Sequence, residues 1–273
     1  MWIIFIILAA FFNSLWTALS KRQLGELSPY HFTLLFRTIT TFLLLPIFLI
    51  DFKISNNPIF WLAVIGAGTL EVIGIYFQSR GIQKDFYSTY SLSNTTPIFT
   101  LLFAPFFVSE KISFLLFSGV VLMVIGGMIE YHINPRTSIY GIVRAASAAI
   151  NGILAKIAIQ YSSGWSYPFI TFTIGILIMV LVSPLREEKI DWNLFKPFTR
   201  KLLPLSLYSA IATLLYYIAV QLAPITKVNP MIRINILFGF ILSYYMLKEN
   251  EHIVRKIIAG ILIIIGSIFI AIA

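Results

Sequence analysis

The sequence predicts an all-α integral membrane protein with ten transmembrane helices arranged as two inverted five-helix repeats. Three observations lead there. The 273 residues are 59% hydrophobic and only 11% charged, whereas a soluble domain has about half its residues apolar and a quarter charged. Apolar runs of roughly 20 residues, enough to cross a hydrocarbon core of about 30 Å as helix, recur from end to end. They are continuous, unlike the alternating segments of about ten residues that build a membrane barrel. Finally, the chain matches itself at a shift of 141 residues: SEKISFLLFSGVVLMVIGGMI, from Ser109, lies over NEHIVRKIIAGILIIIGSIFI, from Asn250, with Glu110 on Glu251 and Gly119 on Gly260. A weaker echo near 135 sets Lys21 on Lys156. Two units, residues 1–134 and 135–273, then hold five spans each, and an odd number turns the second copy upside down in the bilayer.

The spans are expected at 2–20, 30–50, 58–79, 86–108, 112–131, 138–160, 165–185, 201–221, 225–247 and 253–273. The first opens at Met1 with no basic segment and no small-residue cleavage site after it, so it reads as a retained helix. Asn13, Thr17 and Ser20 share one face of it, and Trp16 lies inside the span. The second carries Arg37 seven residues in, near enough to the end for its long side chain to reach the headgroups. The third carries Glu71, an acidic residue near mid-membrane, on a face with Gly74 and Gln78, and Tyr76 nearby. In the fourth, Asn94, Thr95 and Thr96 precede Pro97. A proline there removes a helical donor and frees a carbonyl one turn earlier, and such a break needs polar neighbours or cavity water.

The fifth and tenth spans have no charge in their cores, only aliphatics, Ser and Gly, and are expected outside any cavity. Gly119 and Gly260 would let them pair closely with a second copy of the chain, giving a homodimer. The sixth aligns Arg144, Ala148, Asn151 and Ala155 on one face, with Lys156 close enough to its end to snorkel. The seventh is apolar and is followed by the long polar segment 186–200, expected on the membrane surface. The eighth holds Tyr216 and Tyr217, and the ninth Asn229 and Arg233 on one face. Aromatic residues at this depth can wall an organic solute or simply pack.

Thirteen Lys or Arg lie in the odd-numbered loops, against Lys53, Lys111 and Lys227 on the opposite face. That bias sets the odd loops in the cytoplasm and both termini outside, and it explains the net charge of +9 without nucleic acid. The lack of Cys removes thiolate chemistry and disulfides. His31, His132 and His252 stand apart, so no metal-ligand spacing exists. No hydrolase, ATPase or metalloprotease motif is present, so no catalytic residue, metal or cofactor is expected.

FFNSLWTALSK, LSPYHFTLLFR and PIFTLLFAPFFVSEKISFLLFSGVVLMVIGG resemble EamA-type permeases of the drug/metabolite transporter superfamily. The shared features are a first helix with Asn, Ser and Trp ending in Lys21, a Ser-Pro opening the second helix before Arg37, and a proline-containing fourth helix running into Glu110. The second half departs from the pattern, with Phe238 where the repeat predicts a proline. The resemblance implies a ten-helix carrier moving small organic solutes without ATP through a cavity between the halves. Spans one, three, four, six, eight and nine are expected to line it.

Ionisable groups inside spans are costly, by roughly 2.5 to 3.5 kcal/mol each, and mark function by default. The candidate substrate contacts are therefore Trp16, Glu71, Tyr76, Asn94, Arg144, Asn151, Tyr216 and Arg233. Glu71 has three readings: a proton-coupling carboxylate, an ion pair with Arg233 or Arg144 that substrate releases, or a static pair. The excess of buried cations favours an anionic solute. The leading expectation is an exporter of amino acids or related anionic compounds, in a prokaryotic inner membrane. A drug or cationic-compound exporter, with Glu71 as counter-ion, is the alternative, and a membrane-embedded lipid-modifying enzyme a remote one.

Overall fold

The computed structural model describes residues 1–23, 27–129, 138–183, 193, 195–247 and 253–273, and among them no strand occurs. The elements are α1 (Trp2–Gln23), α2 (Pro29–Ile50), α3 (Pro58–Lys84), α4 (Phe86–Ser93), α5 (Thr96–Val108), α6 (Phe114–Met128), α7 (Ser138–Ile159), α8 (Tyr167–Val182), α9 (Phe195–Leu222), α10 (Ile225–Met231), α11 (Asn235–Leu247) and α12 (Ile253–Ile272). A 3-10 turn, Ile232–Ile234, joins α10 to α11. Most of the segment 186–200, together with Glu251, lies outside the described residues.

Local chemistry sets several helix starts. Pro29 and Pro58 occupy the first turns of α2 and α3, where no intrahelical bond is lost. Immediately before them, the Ser28 and Asn57 side chains accept from the N–H groups of His31 and Ile59. Asp85 and Ser113 cap α4 and α6 in the same way.

Among the described residues, eight segments are long and apolar enough to cross a membrane, the fourth and ninth spans counted across their breaks. The two further apolar helices, α6 and α8, have 15 and 16 residues, short of the roughly 20 a straight crossing needs. The protein is thus an all-helical, multi-pass membrane protein. Its many exposed large apolar side chains, such as Phe106, Phe114 and Leu181, present the surface that acyl chains cover.

The fourth span breaks at Asn94 and Thr95, with Pro97 in the first turn of α5. Its neighbours satisfy the freed carbonyls. Ser91 O accepts from Asn94 N–H at 3.0 Å, Leu92 O accepts from Thr95 N–H at 3.1 Å, and the Thr95 and Thr96 hydroxyls donate to Leu92 O and Ser93 O, each at 2.7 Å. The ninth span breaks too, at the 3-10 turn carrying Arg233, although Phe238 stands where the repeat predicts proline.

Helices of the first half pack mainly on helices of the second: α1 on α9 and α11, α2 on α8 and α9, α3 on α7 and α8, α5 on α7 and α10, and α6 on α12. The α6–α12 seam corrects the expectation of pairing with a second copy through Gly119. A Cβ on Gly119 would lie 2.8 Å from Gly266 O, and one on Gly266 would lie 2.6 Å from Gly119 O. The small-residue face of α6 is therefore consumed inside the chain, against Gly266 rather than Gly260. The nearest side chain to a Cβ on Gly260 is Leu237, at 3.4 Å.

Candidate functional site

A cavity of about 160 Å³ lies between the halves, walled by α1, α3, α7, α8, α9, α10 and the 3-10 turn. These are spans one, three, six, seven, eight and nine. Span four, expected in the wall, stands behind it, and Phe172 of α8 takes the place instead. Neither α6 nor α12 reaches the cavity.

Glu71 is the hub. Its Oε1 accepts from Arg37 Nη2, while Oε2 accepts from Asn151 Nδ2 at 2.6 Å and from Arg144 Nη1 at 3.3 Å. One carboxylate thereby joins α2, α3 and α7, and both oxygens have charged partners. The partners are not equivalent. Arg37 is 5% exposed in its side chain, is absent from the cavity wall, and sits over Phe172, with its guanidinium carbon 3.9 Å from the ring centroid. Arg144 is 19% exposed, lines the cavity and makes the longer contact. Gly74, one turn beyond Glu71, gives Arg144 its space, because a Cβ there would lie 2.8 Å from Arg144 Nη1. The reading of Arg37 as a snorkelling cation is therefore corrected: α2 points it inward, to Glu71. Lys156 does not snorkel either, since its Nζ donates to Val220 O at 2.7 Å and Ala223 O at 2.8 Å.

The opposite wall carries Arg233, whose Nη1 donates to Asn94 Oδ1 at 3.3 Å. Glu71 and Arg233 share the cavity, but of the two cations expected to pair with Glu71 it is Arg144 that does so, beside Arg37 and Asn151. Between the two poles, Asn229 Nδ2 donates to Thr100 Oγ1 at 2.6 Å, and its Oδ1 accepts from the Tyr216 hydroxyl at 3.3 Å. Trp16 hydrogen-bonds Asn13 and stacks on Phe36, with ring centroids 5.3 Å apart.

Of the sequence candidates, Trp16, Glu71, Arg144, Asn151, Tyr216 and Arg233 meet in this cavity. Asn94, 1% exposed, sits behind the wall and holds Arg233. Tyr76 lies elsewhere, packed on the cluster of Tyr30, Leu34 and Met179. Five residues past Glu71 on a helix is a turn of about 140°, which directs Tyr76 away from the carboxylate. Asn13, Phe172, Thr213, Tyr217 and Asn229 complete the polar and aromatic lining; Asn13 and Asn229 were legible as members of polar stripes, whereas Phe172 carried no signal in an apolar span.

A multi-pass helical membrane protein whose two halves enclose a charged, aromatic-walled cavity has the build of a membrane transporter. The chain belongs to the EamA-like transporter family, whose sequence profile matches it twice, over residues 1–129 and 136–272. That family is part of the drug/metabolite transporter superfamily. An uncharacterized transporter of Clostridium kluyveri is 23% identical over 284 aligned positions, which cover 97% of this chain and 91% of the relative. A solved crystal structure shares the fold with a TM-score of 0.77 at 15% identity, over 99% of this chain and 96% of its own.

Proposed function

We propose that the protein is a secondary transporter that exports amino acids or related small organic anions across a prokaryotic inner membrane, by alternating exposure of a cavity between two inverted five-span halves. The observation that carries this reading is the charge balance of the cavity. Glu71 is committed to Arg37 and Asn151, while Arg144 and Arg233 both line the space. A solute carboxylate docks on Arg233 and draws Arg144 from Glu71, exchanging one charge-assisted hydrogen bond for another. Arg37 stays behind as the one charged partner left to Glu71. Trp16 and Tyr216 wall the organic body. A cationic solute would instead need Glu71, both of whose oxygens already accept from protein donors.

Proton coupling, in this reading, runs through Glu71, which takes a proton when Arg144 turns to the solute. Glu71→Gln in proteoliposomes then loses uptake driven by a pH gradient and retains solute exchange.

The test of substrate class is counterflow of radiolabelled amino acids and organic cations into proteoliposomes. Small carboxylates accumulate, and Arg144→Gln weakens their apparent affinity roughly 10- to 100-fold, the worth of one hydrogen bond to a charged group at about 1.5–3 kcal/mol. Accumulation of cations without anions refutes the reading.

A further inference from the structure

One end of the molecule is held by polar contacts that cross from the first half to the second. The chain leaves α2 at Asp51, whose carboxylate accepts from the Ser163 hydroxyl and whose carbonyl accepts from the Ser166 hydroxyl. Lys53 extends the contact: its N–H donates to Ser166 Oγ at 3.3 Å, and its carbonyl accepts from the Ser162 hydroxyl at 2.7 Å. Ser163 and Ser166 are 2% and 0% exposed, so the serine side of this joint is closed to water. At the end of α5, Ser109 adopts a left-handed conformation, φ 53°, and turns the chain so that Glu110 meets the second half. Glu110 Oε1 accepts from Ile225 N–H at 2.8 Å, and Oε2 accepts from Thr226 N–H at 2.9 Å and from the Thr226 hydroxyl at 2.7 Å.

The segments involved are 51–57, 109–113, 160–166 and 223–226. Helix parity brings the even-numbered connections to a common end, and the contacts themselves join them there. Both anchors also belong to the first half, while both receivers belong to the second.

Helix α10 makes the second joint consequential. Its first turn is gripped by Glu110, its middle carries Asn229, and the 3-10 turn that follows carries Arg233 into the cavity. A displacement of the α10 start therefore moves two cavity residues.

From this arrangement we infer that Glu110 on α10, together with Asp51 on Ser163 and Ser166, forms the gate that closes the cavity at the even-loop end. The inference rests on the reading of the protein as an alternating-access transporter. The chemistry of the two kinds of interface separates gate from scaffold. Each polar joint lies at helix ends, and opening it admits water to replace each lost partner, so that a hydrogen bond is exchanged at a net cost of only about 0.5–1.5 kcal/mol. The α6–α12 seam brings backbone within reach of backbone, and separating it leaves apolar surface that no polar partner restores. The halves part at the hydrogen-bonded end and stay joined along the seam.

The experiment uses the full chain, which contains no native Cys, reconstituted in lipid nanodiscs. Spin labels are placed on cysteines at Phe114 and Leu222, exposed residues on the two sides of the joint, and their separation is read by pulsed dipolar spectroscopy. The unaltered joint gives one short distance. Glu110→Gln and Asp51→Asn each add a longer population, and together they make it dominant, shifted on the order of 5 Å or more, about one helical turn. An unchanged distance in the double variant, with native helicity and elution, overturns the inference and makes these contacts static joints. If the double variant does not fold, Ser163→Ala with Thr226→Val removes the two hydroxyl donors, and with Ser163 Oγ the acceptor of the Ser166 N–H, while both carboxylates stay in place; an unchanged distance there overturns it equally. Because this readout needs no transported solute, its failure is separate from failure of the counterflow experiment.

Discussion

Replacing Glu71 with Gln is the most informative single change the structure offers. The substitution keeps the shape of the side chain and removes its charge. Arg37, 5% exposed and seated over Phe172, then holds an uncompensated buried cation, whereas Arg144 can turn toward the cavity. Removing one partner of a buried pair costs about 3–5 kcal/mol. At about 2–4 °C per kcal/mol for a chain of this size, the thermal midpoint falls by roughly 6 to 20 °C. Arg37→Met should cost less, because Glu71 retains Arg144 and Asn151 as partners. The double variant, Glu71→Gln with Arg37→Met, should recover at least half of the Glu71→Gln loss, since buried pairs are often replaceable by apolar groups of similar volume. The assay is thermal unfolding of detergent-purified protein followed by size-exclusion fluorescence. Strictly additive costs in the double variant, or a Glu71→Gln loss under about 1 kcal/mol, would refute the argument that Arg37 depends on Glu71.

Two further outcomes follow from the geometry. Gly119→Ala should destabilise by about 1–3 kcal/mol through overpacking, because its Cβ meets Gly266 O at 2.8 Å, while Gly260→Ala meets Leu237 at 3.4 Å and should be nearly neutral; equal midpoints for the two variants would contradict the seam. Asp51 lies outside the spans, and donation from Ser163, aided by Lys53, holds its carboxyl below its ordinary range. A depressed value means that the unfolded chain binds the extra proton, so this contribution is present above the unfolded value of about 3.9 and fades as pH falls through the folded one. The stability gap between the native chain and Asp51→Asn, measured by urea unfolding, should therefore narrow between about pH 6 and pH 3; a gap that widens on acidification would be inconsistent with it.

Much of the membrane architecture could be read from composition and run length, because a chain that is 59% hydrophobic has few other ways to fold. Depth along a helix was legible as well, and depth alone pointed to Glu71, Arg144 and Arg233. Rotation of one helix against another was not. Periodicity says that Glu71 and Gly74 share a face, but nothing in α3 says that the face receives Arg144, or that α2 turns Arg37 toward the same carboxylate. Tyr76 shows the converse, a residue of suitable type and depth set on the wrong side of its helix. Gly119 and Gly260 were equal in sequence and are unequal in space, because the registry of α6 on α12 pairs Gly119 with Gly266.

The Glu71 hub also orders the birth of the protein. Its nearest cation, Arg37, lies 34 residues earlier in the chain, and Arg144 lies 73 residues later. At about 5–20 residues per second, a ribosome delivers Glu71 roughly 2 to 7 s after Arg37. During that interval α2 is a nascent helix with a bare guanidinium, costing roughly 2.5–3.5 kcal/mol to place at mid-bilayer. The translocon therefore gains from retaining α2 until α3 emerges and releasing them as a neutralised hairpin. Arg144, made 73 residues after Glu71, joins a pair that already neutralises itself.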